Sequence, residues 1–319
     1  MTLPRPLRII IPGGTGRLGV LLARHFHEQG HAVSAITRFP RPRDWEAVHW
    51  DAESPGHWMS SLEDADVVIN LAGRSLHCRH TKANQRAILQ SRVRTTELVG
   101  RGIRECVRPP RLWINASTVD VYPEAEQREV DENFKPAGLT QPMFLEQMAR
   151  AWEAATQAHS TPQTRKVQIR MAAVMSADAG GTFDHLLRLV RWGFGGDMGS
   201  GEQHVAWIHD FDFLRAIEFL ISRDDVAGAV NITAPHPVPN HQFMCNLRRA
   251  WCTSYFGMPA PEWLVETVSF VARTEPEFVL KSRRVIPGKL IDAGFDFDFP
   301  EWRGACENLM ERWRALHPD

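Results

Sequence analysis

The residues best suited to chemistry come early in the chain, in Ile9-Ile10-Ile11-Pro12-Gly13-Gly14-Thr15-Gly16-Arg17-Leu18-Gly19. Glycines at 13, 16 and 19 stand behind an apolar run and ahead of an amphipathic one. Gly13 lets the chain turn sharply off a strand, and Gly16, lacking a Cβ, lets a pyrophosphate approach the backbone. Gly19 lets the following helix pack close to the strand. The helix N-terminus adds free N–H groups and the positive end of its dipole. Glycine turns also close ordinary strand–helix junctions, but the flanking runs favour a nucleotide site. The expected phosphate contacts are Gly13, Thr15, Gly16, Arg17, Leu18 and Gly19.

The next chemistry-bearing position is the tip of the second strand, Thr37-Arg38. In a dinucleotide fold this tip lies near the adenosine ribose, where an acidic residue selects NAD. Here it carries Arg38, with Arg41 and Arg43 close behind, and a fixed cation matches a 2′-phosphate. NADP(H) is therefore expected over NAD(H), although the same residues also suit a basic solvated loop. Asp51 stands where a carboxylate would accept from the adenine amino group or would cap the next turn. The small residues of Leu71-Ala72-Gly73 suit a cofactor lying against backbone. Arg92 faces either cofactor phosphate or ribose, or a surface ion pair. Past the fifth strand come Ser117, Asp120 and Tyr122. Asp120 and Tyr122, just past the strand end, are candidates for an acid or base. Asp120 suits a turn cap equally well, and Tyr122 a passive place in the pocket wall.

These residues need elements to hold them. Apolar runs predict strands at the start of the chain, at Ala32 to Thr37, Val48 to Asp51, Val67 to Gly73, Leu112 to Ala116 and Val167 to Val174. Helical stripes separate them, including Leu18, Leu21, Leu22 and Phe26 with Gly30 as C-cap, and a long helix from Thr81 to Cys106. Ser54-Pro55 reads as a helix start, and Pro142 begins another helix. This alternation predicts an α/β fold, a Rossmann-like doubly wound parallel sheet. The rhythm changes afterwards: a flexible glycine loop at Gly193 to Gly201, a strand at Val205 to His209, a helix capped by Asp210 or Asp212, and a strand at Ala229 to Ile232. From Pro235 a helical, proline-punctuated stretch carries Trp251, Trp263, Trp302 and Trp313, read as packing residues of a lid. The expected division is a dinucleotide-binding domain of 1–174 plus 203–233 and a smaller, mainly helical substrate domain of 175–202 plus 234–319.

Composition narrows the function classes. The chain of 319 residues has a formal net charge of −1, which points to no nucleic-acid or anionic-membrane partner. No run of 18 apolar residues occurs, so no membrane span is expected. The five cysteines form no C-x-x-C pair, and no H-E-x-x-H occurs among 14 histidines. No metal site is expected, and the cysteine usage suits a reducing cytoplasm. His77 and His80, flanking Cys78, are read as solvated or structural.

Several segments resemble the extended and atypical short-chain dehydrogenase/reductases, and more narrowly the epimerase family proteins with a DUF1731-type C-terminal domain. They are Gly13-Gly14-Thr15-Gly16, Val68-Ile69-Asn70-Leu71-Ala72-Gly73, Ser91-Arg92-Val93, Trp152-Glu153-Ala154-Ala155, Trp207-Ile208-His209, Ala234-Pro235-His236-Pro237-Val238, and Val285-Ile286-Pro287 before Gly294-Phe295. The resemblance implies an NADP-binding extended fold. By matching positions it assigns cofactor contacts to Thr37, Arg38, Leu71, Ala72, Arg92 and Ala173. Arg17-Leu18 departs from the group's usual Phe-Ile, and Ala172-Ala173 from a glycine-containing turn. Fold-level analogy suggests a monomer or homodimer acting on an unidentified small molecule.

The resemblance also exposes a gap. The superfamily's usual chemistry needs a tyrosine four residues before a lysine, whose charge lowers the phenol pKa for proton exchange. Tyr122 is followed at that spacing by Glu126 and Tyr255 by Pro259, while the expected helix carries Phe144 and Met148. Neither Phe144 nor Met148 moves a proton. Two functions stay open: an NADP-dependent oxidoreductase or epimerase using other groups, in which the resemblance puts Ser117 at the usual serine position to orient a substrate oxygen, and a non-catalytic NADP-binding sensor or scaffold.

Overall fold

Three consecutive isoleucines, Ile9, Ile10 and Ile11, are all fully buried. Side chains alternate along a strand, so burial of all three needs packing on both faces of the sheet. Ile9 and Ile11 join one core with Phe26 and Phe213, and Ile10 joins another with Trp50, Trp58 and Trp113. Each such burial stabilises by about 1.5–3 kcal/mol relative to exposure.

The computed structural model describes residues 5–76, 78–134, 143–251, 257–261 and 280–317. In chain order it contains β1 (Arg8–Pro12), α1 (Arg17–Glu28), β2 (Ala32–Thr37), β3 (Glu46–His49), β4 (Val67–Asn70), α2 (Lys82–Glu105), β5 (Leu112–Thr118), β6 (Ala125–Val130), α3 (Phe144–Gln157), β7 (Arg165–Met171), β8 (Ala173–Met175), α4 (Thr182–Arg191), β9 (His204–Val205), β10 (Trp207–His209), α5 (Asp210–Ser222), β11 (Gly228–Ile232), β12 (Val238–Pro239), α6 (Asn240–Trp251) and β13 (Arg283–Val285). Helices Gly288–Asp292 and Trp302–Leu316 follow.

Seven parallel strands form one sheet in the order β11-β7-β5-β4-β1-β2-β3. The chain runs from β1 outward to β2 and β3, then returns to place β4 on the other side of β1. Strand order therefore reverses between β1 and β4, where open α/β sheets bind ligands beyond the strand C-termini. The expected doubly wound Rossmann-like fold is the one observed.

A second core lies beside the sheet. Trp207, Trp302, Phe243 and Trp313 pack there with Phe183 and Leu187, and the Phe243 and Trp302 rings stack at 4.0 Å. Trp251 meets the Trp313 ring edge-on; Trp263 lies outside the described residues.

Several local expectations need correction. The Val167 to Val174 strand is two. Met171 is the last rung against β11, after which Ala173 pairs with Trp207, drawn aside by the second core. The expected Val205 to His209 strand divides likewise into β9 and β10. The strand expected at Val48 to Asp51 runs from Glu46 to His49, because its register follows β2. Ser54-Pro55 starts no helix: a 3-10 helix begins at His57 with Gly56 as N-cap. The α5 cap is His209, whose Nδ1 accepts from the Phe211 N–H, while Asp210 and Asp212 occupy the first turn. The glycine loop at 193–201 is pinned to residues 258–260 by backbone bonds from Gly196 and Gly199 to Met258 and Ala260. Helix α3 begins at Phe144; Pro142 lies outside the described residues.

Candidate functional site

At the reversal point a groove of about 1370 Å³ opens. It is lined by Gly13, Thr15 and Gly16 after β1, by residues 37–39 after β2, by residues 50–54, by residues 71–74 after β4, and by one face of α2. Gly13 adopts φ +81°, a left-handed conformation that favours glycine, and an added Cβ would lie 2.8–2.9 Å from the backbone of Leu71 and Ala72. Its N–H donates to the Ile36 carbonyl, so one residue ties the ends of β1 and β2 together. Gly19 serves packing: a Cβ there would lie 2.5 Å from the Gly13 carbonyl. Gly16 is the N-cap of α1 and has no side chain to satisfy the helix N-terminus, and no acidic residue occupies the first turn. Such a terminus favours an anion.

The groove brings together nine of the expected cofactor residues: Gly13, Thr15, Gly16, Thr37, Arg38, Asp51, Leu71, Ala72 and Gly73. Thr15 and Thr37 share a hydroxyl hydrogen bond of 2.7 Å across the mouth. Arg38 is exposed, and its guanidinium lies 5.6 Å from the Phe39 ring. Asp51 lines the groove but also closes a turn, Oδ1 accepting from the N–H groups of Glu53 and Ser54 at 2.8 Å each. Those bonds hold its carboxyl below the usual range.

The remaining expected contacts lie elsewhere. Arg17 is exposed at the start of α1, with its guanidinium beside Gly180. Leu18 packs against the main core, and Ala173 sits in β8 against the second core. Arg92 makes no surface ion pair: it is 7% exposed. Its Nη1 donates to the Arg74 and Ile88 carbonyls at 2.8 and 3.3 Å, and its guanidinium covers the Trp152 ring at 5.0 Å. A Cβ added to groove-lining Gly73 would lie 3.3 Å from the Arg92 Cζ. Burial pushes the guanidinium pKa down to about 10, and the buried Arg92 Nε has no hydrogen-bond partner among the described residues.

The three candidates for proton chemistry occupy the ends of β5 and the turn after it. Ser117 is 1% exposed, and its hydroxyl donates to Glu153 Oε1 at 2.7 Å. Glu153 also receives Arg170 Nε and Nη2 at 2.8 and 2.7 Å. Arg170 Nη1 donates to the Tyr122 hydroxyl at 2.8 Å, and that hydroxyl donates to Asn231 Oδ1 at 2.9 Å. Burial raises the Tyr122 pKa against the opposing Arg170 charge. Asp120 is bound by Arg283 and by the Thr118 hydroxyl, which also caps the short turn. Burial alone would raise its pKa, but the Arg283 charge and these bonds hold it below the usual carboxylate range. On α3, Met148 is fully buried and Phe144 partly so, and both pack around Ile88, Leu145 and Trp152.

Sequence reading missed the residues that set the β4 turn. Asn70 is fully buried; its Nδ2 donates to Asn115 Oδ1 at 2.8 Å, and its Oδ1 accepts the Ala72 N–H at 3.1 Å. An asparagine inside an otherwise apolar strand was the available signal, because a buried amide needs partners. Glu153 was visible only as part of the Trp152-Glu153-Ala154-Ala155 segment.

The model of the NAD dependent epimerase/dehydratase family matches residues 9–233. The chain belongs to that family. A second model, a domain of unknown function (DUF1731), matches residues 260–309. The chain is 33% identical over 292 residues to epimerase family protein MT2273 of Mycobacterium tuberculosis, covering 91% of this chain and 93% of the relative. It is 31% identical to epimerase family protein SDR39U1 of mouse, covering 95% and 100%. The crystal structure of human SDR39U1 (isoform 2) with NADPH superposes with a TM-score of 0.84 at 30% identity, covering 96% of this chain and 99% of that one. Among the described residues no helix is long and apolar enough to cross a membrane, and no group of histidine, cysteine or acidic residues is arranged to hold a metal ion.

Proposed function

We propose that the groove binds NADP(H) and that the chain acts with it as an oxidoreductase or epimerase-like protein on a small molecule. The observation that carries this reading is the convergence of three strand ends on one cradle: Gly13 where a Cβ would strike Ala72, Thr37 bonded to Thr15, and Leu71 to Gly73 held by Asn70. The residues fit the cofactor. The uncapped α1 terminus and glycine backbone suit a pyrophosphate. Exposed Arg38, at the tip of β2, suits a 2′-phosphate. The similarity to a protein crystallised with NADPH supports the choice. A bound nicotinamide supplies hydride transfer. The chain's own residues orient it and shield it, with the stretches 175–202 and 234–319 as the substrate-selecting part.

Titration of purified, cofactor-stripped protein with NADPH and NADH, read by fluorescence, tests the reading. Tighter binding of NADPH is expected; equal binding would remove the Arg38 argument, and no binding would remove the reading.

A second function, a non-catalytic NADP(H) sensor whose conformation follows occupancy, is favoured by one observation. Ser117, Asp120 and Tyr122 are all committed to structural partners, and Phe144 and Met148 fill the positions of the usual pair. The two readings separate on whether a group able to exchange a proton lies beside the groove.

A further inference from the structure

A second, smaller cleft of about 350 Å³ opens between α2 and the end of α3, within the size range of small-molecule sites. Arg94, Glu97, Arg101 and Arg104 line it from α2, at spacings of three and four that put them on one helix face. His159, just past α3, lines it from the other side. The two elements approach closely because α2 carries Gly100 there: a Cβ added to it would lie 2.4 Å from the His159 ring. The Trp113 ring meets the imidazole edge-on at 6.3 Å.

The charges in this cleft are unbalanced, with three arginines and one glutamate in its walls. Arg101 is already engaged, its Nε donating to Glu105 Oε1 at 2.7 Å. Arg94 Nε donates to the Glu53 carbonyl at 2.9 Å, and its Nη1 lies 4.0 Å from Glu97. Among the described residues no carboxylate pairs with Arg104. A helix C-terminus ordinarily repels an anion. At the end of α3 that partial charge is met, because Lys166 Nζ donates to the Thr156 carbonyl at 3.3 Å and to the His159 carbonyl. The positive field reaches His159: burial first, then the Arg104 and Lys166 charges, hold its pKa below the usual imidazole value against the opposing Glu97.

We propose that this cleft is an anion site for a phosphate-bearing small molecule, in which Arg104 and His159 take the phosphate and Arg94 connects the site to the cofactor groove. A guanidinium presents a planar set of donors that matches phosphate oxygens, and an imidazolium beside it adds a charge-assisted donor. Arg94 and Glu97 line both the cleft and the groove. Arg94 holds the Glu53 carbonyl, and the Glu53 N–H donates to Asp51 in the groove wall. An anion that draws on Arg94 therefore acts on the Asp51 turn, and by linkage a ligand in the groove acts equally on the anion. The site goes beyond the NADP(H) reading and does not depend on it.

His159 is a built-in reporter, because an anion beside it favours the protonated ring. Full-length, cofactor-free protein is titrated with acid in chloride, inorganic phosphate or pyrophosphate at matched ionic strength, and the His159 ring proton is followed by NMR, assigned by its loss in His159→Gln. Relative to chloride, phosphate and pyrophosphate should each raise the His159 pKa by about half a unit or more. Pyrophosphate should half-saturate at roughly ten-fold lower concentration than phosphate, and Arg104→Gln should weaken both by about ten-fold. Arg104 is exposed, so this substitution spares the core. The same His159 pKa in all three salts would overturn the proposal, since a merely solvated helix face is screened by any salt alike. So would a phosphate shift that Arg104→Gln leaves unchanged, which would put the anion elsewhere. Repeating the titration with saturating NADPH separates the cleft from the groove. A phosphate shift that persists keeps a distinct site, and its disappearance would make the cleft part of the cofactor groove and end the proposal. Absence of NADPH binding would remove the cofactor reading while the cofactor-free shifts still decide the anion site.

Discussion

At the ends of β1, β2 and β4 polar groups are left open. Gly16 caps α1 with no side chain, Arg38 sits at an exposed tip, and among the described residues Arg92 Nε has no partner behind Gly73. At the ends of β5 and β7 the polar groups are closed on one another: Ser117 on Glu153, Glu153 on Arg170, Arg170 on Tyr122, Tyr122 on Asn231. Both regions lie at the C-terminal edge of one sheet and both are rich in hydrogen-bonding groups. Among the described residues the first keeps donors without protein partners, and the second has spent its donors on the fold. The contrast teaches that residue type at a strand end does not by itself announce a reacting group; what counts is whether the polar atoms have already found partners.

The largest effect should come from opening the closed region. Glu153→Ala leaves the largely buried Arg170 guanidinium without its carboxylate and should cost about 3–5 kcal/mol in chemical denaturation. NADPH affinity of the folded fraction should change by less than about three-fold. A large loss of affinity with little loss of stability would mean that the closed cluster belongs to the site.

Next comes a buried imidazole used structurally. His209 is fully buried, and burial pushes its pKa down to about 4. Above pH 6.5 both folded and unfolded states hold it neutral. Below that the unfolded chain takes up the proton first, so stability should fall between about pH 6.5 and 4 by on the order of 3 kcal/mol. His209→Asn keeps a capping side chain without the titration. Its melting temperature, recorded against pH, should lose this acid-side slope; an identical slope would assign it to other groups.

Gly13→Ala probes the open region. The added Cβ meets the Leu71 and Ala72 backbone at a positive φ, and calorimetry should show NADPH binding weakened by about 100-fold. Retained affinity would place the cofactor elsewhere. The smallest change sharpens the choice of cofactor: Arg38→Glu should weaken NADPH by about ten-fold and NADH by less than about three-fold, compared by titration. Equal losses would remove Arg38 from the 2′-phosphate.

Much of the open region was legible in the residues. Gly13 and Thr37 lie at or just past the ends of apolar strands, although the strand expected through Gly73 stops at Asn70, and strand alternation with helices brings successive strand ends to one edge of a parallel sheet. The long helix expected from Thr81 to Cys106 is found at Lys82–Glu105, with Thr81 as its cap. Less legible were positions whose role depends on a distant partner. Arg92 reads equally as a ligand-facing or a surface residue until Trp152 is placed beneath it. The strand expected through Val174 breaks at Ala172 because Trp207 and the second core claim Ala173. Nothing local in the sequence shows that the loop carrying Cys78 folds back onto the Phe144 cluster.

Apolar periodicity, glycine spacing and the absence of a lysine four residues after either tyrosine are properties of the chain alone, and the first two suffice for the sheet and the glycine turn at its edge. These features rest on short-range rules: alternation along a strand, and the turn that a glycine permits. Which hydroxyl is free and which is bonded could be decided only by folding. Ser117 meets Glu153 across 36 positions and Tyr122 meets Asn231 across 109. A buried polar atom is satisfied by whatever the tertiary structure brings within 3 Å or so, and that partner carries no local signature in the sequence.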